Sequence, residues 1–337
     1  MRKYSGQQIW SVGFMLMLVA GCAARPPLSA EVPQTVSKAR AYYEVVTNLG
    51  VEKKYPNDYQ EAEEKLVEAE TFLNSPDKQE KALSPAQASL SASQRMLKYF
   101  YSNTISPLAR KAQAEIEKIT AEDPDNPLKD FLPTINDLLA YSDKLESGQN
   151  VIALDRVIND LTDVLVIKHN ADRNVNVTLL SDVSFDSGKY DLSEAGKRLL
   201  SEFFERVIAE QKEELRQYTG KVLTMKIRVL GYTDQQGFRK GTELIKALAK
   251  DVEAQVPQAA AAQRQFLNQR LALFRAATLC EYIQQFIAQK DASILIEVEK
   301  IGRGEEFPPG VSKDSAAGSP NDARRRICKI YSYVLIR

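Results

Sequence analysis

The spacing of apolar residues first changes near residue 172, and this limits the possible folds more than any other feature. From Gln34 to about Ile167 the spacing is helical. Ala62, Leu66, Ala69 and Leu73 share one face, and Leu90, Leu97, Phe100 and Tyr101 continue a second stripe. Val151, Leu154, Val157, Ile158, Leu161 and Leu165 form a third. Beyond residue 172 the period is two. Val175, Val177 and Leu179 alternate with Asn174, Asn176 and Thr178, and Met225, Ile227 and Val229 alternate with Lys226 and Arg228. The pattern predicts an α+β protein. An all-α helical bundle over 34–170 is followed by an α/β sandwich over 172–337, with helices on one face of a mixed sheet. A length of 337 residues suits two such units.

Local signals punctuate this plan. Asn57, with Gln60 three positions on, reads as a capping box, and Ser84-Pro85 reads as a helix start. Pro107 is expected to kink or split its helix. Glu122-Asp123-Pro124-Asp125-Asn126-Pro127 is a loop by its breakers. Helices are predicted over 131–146 and 151–167. Further on, a helix from Ser193 has Leu199, Leu200, Phe203 and Val207 inward, and another spans 268–289. Strands are predicted near 294–301 and over 327–336. His169 falls at the junction and reads as an exposed linker residue.

Composition excludes several functions. Lys plus Arg and Asp plus Glu both total 45, whereas a nucleic-acid binder needs a basic excess to displace counterions from phosphate. His169 is the one histidine, which argues against a Ser–His–Asp triad, a histidine general base or a histidine-ligated zinc. No nucleophile–base pair is legible. The chain is expected to be non-catalytic, with no cofactor and no metal.

The first residues differ from the rest. Arg2 and Lys3 precede the apolar run Val12 to Ala20, too short for a hydrocarbon core that needs about 20 apolar residues. This is a signal-peptide pattern over 1–21. Leu18-Val19-Ala20-Gly21-Cys22 resembles the bacterial lipobox. That resemblance implies cleavage before Cys22 and acylation of its thiol, including palmitate, a near-permanent anchor. Ala23 stands where an inner-membrane lipoprotein of the enterobacterial type carries Asp, which favours the outer membrane and a periplasm-facing chain. Residues 22–33, rich in Pro and small side chains, read as a tether. Cys280 and Cys328 are 48 positions apart; they form either a bridge or, as the helical face shared by Cys280 with Ala276, Leu279 and Ile283 suggests, buried free thiols. The segment Tyr55 to Glu63 resembles small helical envelope domains of unknown function.

Five short motifs occur in order beyond residue 173. They are Ser184-Phe185-Asp186-Ser187-Gly188, Gly231-Tyr232-Thr233-Asp234-Gln235-Gln236-Gly237, Asn268 to Ala276, Gly302-Arg303-Gly304-Glu305 with Pro308, and Arg324-Arg325-Arg326-Ile327. Together they resemble the OmpA-like C-terminal domain shared with peptidoglycan-associated lipoproteins. The resemblance implies binding of the peptidoglycan stem peptide through its diamino acid, usually diaminopimelate. Asp234 matches the aspartate that accepts the ammonium, and Arg275 the arginine that forks onto a carboxylate. Asn268 matches the asparagine that supports the loop. Phe185 and Asp186 match the pocket floor and rim, and Gly237 a tight turn. Read as residues alone, Asp234 could equally be a turn or cap and Arg275 a surface ion pair. Arg324, Arg325 and Arg326 read as fold-supporting, the first standing where the family usually has Asn, or as contacts to the glycan's acidic groups.

One departure from the family pattern is large. Thirty residues, Phe238 to Leu267, separate Gly237 from Asn268, where the family has a few. This insertion could cap the site, alter ligand choice or project as a hairpin. The leading functional expectation is a non-catalytic lipoprotein tethering the outer membrane to peptidoglycan. The alternative is an interaction component of an envelope machine for secretion, stator function or assembly. In that case the helical region binds protein and wall binding only localises it.

Overall fold

The computed structural model describes residues 30–148, 152–185, 189–215, 223–311 and 321–336. Cys22, with the signal and most of the tether, lies outside the described residues, as does Asp186. The fold is α+β, as the change of period predicts.

Among the described residues, the first half contains six α-helices: α1 Glu31–Asn48, α2 Pro56–Leu73, α3 Leu83–Phe100, α4 Ser106–Glu122, α5 Leu132–Glu146 and α6 Leu154–Arg173. Their apolar stripes meet in one core, where Met96, Leu97, Ile105, Ile116, Ile135 and Val157 are fully buried. Each such side chain contributes about 1.5–3 kcal/mol relative to exposure.

Three local expectations change. Asn57 does not cap α2; the helix begins at Pro56, whose missing N–H suits the first turn, and Gln60 donates instead to Glu64 (2.8 Å). Pro107 does separate α3 from α4, but the chain passes between them through a π-helical turn, Tyr101–Ile105. No linker divides the halves. Helix α6 continues six residues past Ile167 and carries His169, half-buried, within it. Asn174, in the left-handed region (φ 40°), closes the helix just before the sheet begins.

The sheet contains β1 Asn176–Leu180, β2 Leu223–Tyr232, β3 Leu295–Gly304 and β4 Ile327–Ile336, in the order β1-β4-β2-β3. Strand β4 runs antiparallel to β1 and β2, whereas β2 and β3 are parallel. A parallel pair needs a crossover, and α10, Ala260–Lys290, supplies it. Helix α8, Glu194–Leu215, lies beside α10; the single turn α7, Ser181–Ser184, precedes α8, and the short α9, Glu243–Ala249, precedes α10. On this face Met225, Ile227 and Val229 meet Leu200, Phe204, Leu279 and Ile283. Leu199, expected inward, is exposed, and Phe204 takes the core position. Both cysteines are free and buried, and burial pushes each thiol up to about 12. These are inert core thiols.

The other face of the sheet lies against the helical half. Tyr333 of β4 joins the bundle core, edge-on to Phe131 with ring centroids 5.6 Å apart. Beyond the first residue of β1, which faces Tyr331, Asn170 of α6 takes over as partner of β4: its amide donates to the Val334 carbonyl (2.8 Å) and accepts from the Val334 N–H (2.8 Å). The acidic loop after α4 grips the same face. Asp123 accepts from Lys329 (2.5 Å) and Tyr331 (2.8 Å), Asp125 from Tyr232 (2.6 Å) and Arg303, and Asp130 from Arg228 (2.7 Å). Among the described residues, no helix is long and apolar enough to cross a membrane.

Candidate functional site: a charged cleft at the strand ends

The site forms where α10 crosses the ends of β2 and β3. Two glycines allow the approach. A Cβ on Gly231 would lie 2.1 Å from the Ala272 carbonyl oxygen, and one on Gly302 would lie 2.7 Å from that of Gln269. With helix and strands this close, the side chains at positions 268 and 275, two turns apart on α10, face the loop that leaves β2.

That loop is tied down on three sides. The Thr233 N–H donates to the Gly304 carbonyl (2.7 Å), and Asp234 Oδ1 accepts from the Gln236 N–H (3.1 Å), a side-chain turn. Asn268 Nδ2 donates to the Asp234 carbonyl (3.1 Å) and to Glu305 Oε1 (2.7 Å). Glu305 is in turn held by a two-pronged contact from Arg264 (2.8 and 3.0 Å). Asn268 thus joins the loop to Glu305.

The resulting cleft, of about 520 Å³, is lined by Asp234, Arg275, Asn268, Phe185 and Gly237, all of them predicted site residues. Arg275 is 8 % exposed and lies over the Phe185 ring at 5.1 Å. Its Nε has no hydrogen-bond partner. Burial lowers its pKa from the ordinary guanidinium value, against the opposing pull of Asp182 and Asp234. The reading of Arg275 as a surface ion pair is therefore excluded. For Asp234 the two readings converge, because it shapes the turn and lines the cleft.

Other roles differ from expectation. Gly237 does not have a positive φ, and a Cβ there would meet nothing within 4 Å, so no tight turn demands glycine. Arg326, read as fold-supporting, is a cleft residue. Its Nη1 donates to Asp234 Oδ2 (2.6 Å) and Asn321 (2.5 Å), while Nε and Nη2 fork onto Asp182 (3.0 and 2.6 Å). Those hydrogen bonds raise the pKa of Arg326, and they hold the Asp182 carboxyl below its usual range. Asp182 was not picked out from sequence. It sits in α7, two positions before the Ser184-Phe185 motif, and only that nearness could have flagged it. Arg325 is fully buried, donates to the Glu305 carbonyl and lies 4.2 Å over Phe307, which is a supporting role. Arg324 pairs with Asp322 at the surface (2.8 Å).

The insertion is a wall and not a projecting hairpin. Phe238, Arg239, Thr242 and Leu244 line the cleft. Helix α9 is anchored by Leu248, fully buried against Leu267 and Leu271. Residues 260–267 belong to α10, which starts eight positions before Asn268.

No protein-family model matches the chain, and no curated protein matches it. Among solved structures, it is similar to a protein described as MotB-like from Desulfovibrio vulgaris. The identity is 16 %, the match covers 47 % of this chain and 72 % of that one, and the TM-score is 0.24.

Proposed function

We propose that this chain is a non-catalytic envelope protein that binds peptidoglycan noncovalently through the cleft of its C-terminal half. Anchored through acylated Cys22 in the outer membrane and facing the periplasm, it tethers that membrane to the wall. The ligand is the diamino acid of the stem peptide, whose free end carries an ammonium and a carboxylate. Arg275 takes the carboxylate and Asp234 the ammonium.

One observation carries the reading: a buried guanidinium with an unpartnered Nε faces the same cleft as two carboxylates and a second guanidinium. Asp182 and Asp234 balance Arg275 and Arg326, and Arg239 on the insertion wall adds one further positive charge, which suits a zwitterion better than a free cation. That the cleft is assembled from motifs scattered over more than a hundred residues, in the order of the OmpA-like family, supports the same ligand.

Retention on purified sacculi tests it. Removing one partner of a desolvated, charge-assisted contact costs about 2–5 kcal/mol, more than tenfold in affinity. Asp234→Ala and Arg275→Ala are each expected to abolish most retention while the circular dichroism spectrum stays that of the wild type. Wild-type retention by both folded variants removes the reading.

A further inference from the structure

We propose that Arg326 sets the charge selectivity of the cleft, competing with the ligand ammonium for Asp234; this rests on the zwitterion reading above. The guanidinium is engaged on two sides. Its Nε and Nη2 fork onto Asp182, and its Nη1 alone reaches Asp234 Oδ2 (2.6 Å). The fork is anchored at the solvent side, since the Asp182 side chain is 53 % exposed and that of Asp234 only 4 %. Arg326 therefore stands between solvent and Asp234. Because two of its nitrogens hold Asp182, the third can release Asp234 without the side chain losing its place. A compact ammonium with three donors satisfies the same carboxylate oxygen.

The two ends of the site then make different demands. Arg275 has a buried, unpartnered Nε whichever way Arg326 points, so a ligand carboxylate is always favoured there. The ammonium is accepted only by displacing an internal cation. Asp182 does not grip the ligand in this scheme. It is a positioning residue that draws Arg326 away from Asp234.

Calorimetric titration of the full chain with diaminopimelate, and with pimelate, its analogue lacking both amines, tests this. Arg326→Gln is expected to tighten diaminopimelate by about tenfold, the worth of one charge-assisted hydrogen bond, and to weaken pimelate. Asp182→Asn leaves Asp234 as the one carboxylate partner of Arg326, beside the Asn321 amide oxygen, and is expected to weaken diaminopimelate severalfold. The double variant should match Arg326→Gln, because Asp182 acts only through Arg326. Loss of both ligands in the same proportion in folded Arg326→Gln overturns the proposal, as does an effect of Asp182→Asn that persists in the double variant. Should Arg326→Gln not fold, unchanged diaminopimelate affinity in Asp182→Asn overturns it by itself. A wild-type chain that binds neither ligand overturns the proposed function and this inference together.

Discussion

Asp182 shows how a residue that stands in none of the five motifs comes to matter through its pairing with Arg326. The Asp182 carboxyl is held below its ordinary range chiefly by the hydrogen bonds from Arg326. A carboxylate whose folded pKa is depressed adds stability that is present above its unfolded value, about 3.9, and is lost as the pH falls through the lower folded value. The fork should therefore be intact throughout neutral and mildly acidic solution. Melting temperatures measured from pH 6 downward are expected to fall less steeply below pH 4 in Asp182→Asn than in the wild type. Identical profiles would show that the pair adds nothing to the fold, as for many exposed ion pairs. Asp234, Arg275 and Asn268 were legible because each stands in a motif with a fixed place on a strand end or helix. Asp182 and Arg326 were not, since their pairing spans 144 positions and depends on how α7 meets the start of β4.

Among elements, those with a clean period were easiest to anticipate. The last strand, β4, has the predicted bounds, and α5 differs from its predicted start by one residue. The helices that overran did so for reasons outside their own stripes. The end of α6 carries Asn170, which serves the sheet, and the start of α10 carries Arg264, which serves Glu305. Polar positions like these are invisible to an apolar period. The insertion is the sharpest case, because Leu244, Leu248 and Val252 predict a helix without saying where it docks. Leu248 is fully buried against Leu267 and Leu271, and truncating a buried leucine costs about 2–5 kcal/mol. Leu248→Ala should accordingly loosen the cleft wall, with amide exchange rising across α9 while β2 and β4 keep their protection. Equal loss of protection in the sheet would mean that the wall and the core unfold as one unit.

The whole molecule departs from two beads on a string. The change of period near residue 172 marks where strands begin, but it does not mark a hinge. The bundle and the sheet share Tyr333, the Asn170 clamp and the ion pairs of the acidic loop. Asp123 and Lys329 are each only 13 % exposed, so cutting the chain near residue 172 removes this contact and opens the Tyr333 face of the sheet to water. The intact chain is expected to melt in one transition, and residues 172–337 alone at a markedly lower temperature. Two separate transitions in the intact chain, with the fragment melting at the upper one, would restore independent domains. The Asn170 clamp also bears on self-association. Strand β4 outlasts β1, and its uncovered backbone would be a template for a strand from another molecule. A side-chain amide donating and accepting at Val334 closes that template without a further strand. The long edge left is β3, where the charged side chains of Glu297, Glu299 and Lys300 stand in the path of a second copy. These few polar side chains guard the sheet against strand addition, the first step of fibre growth.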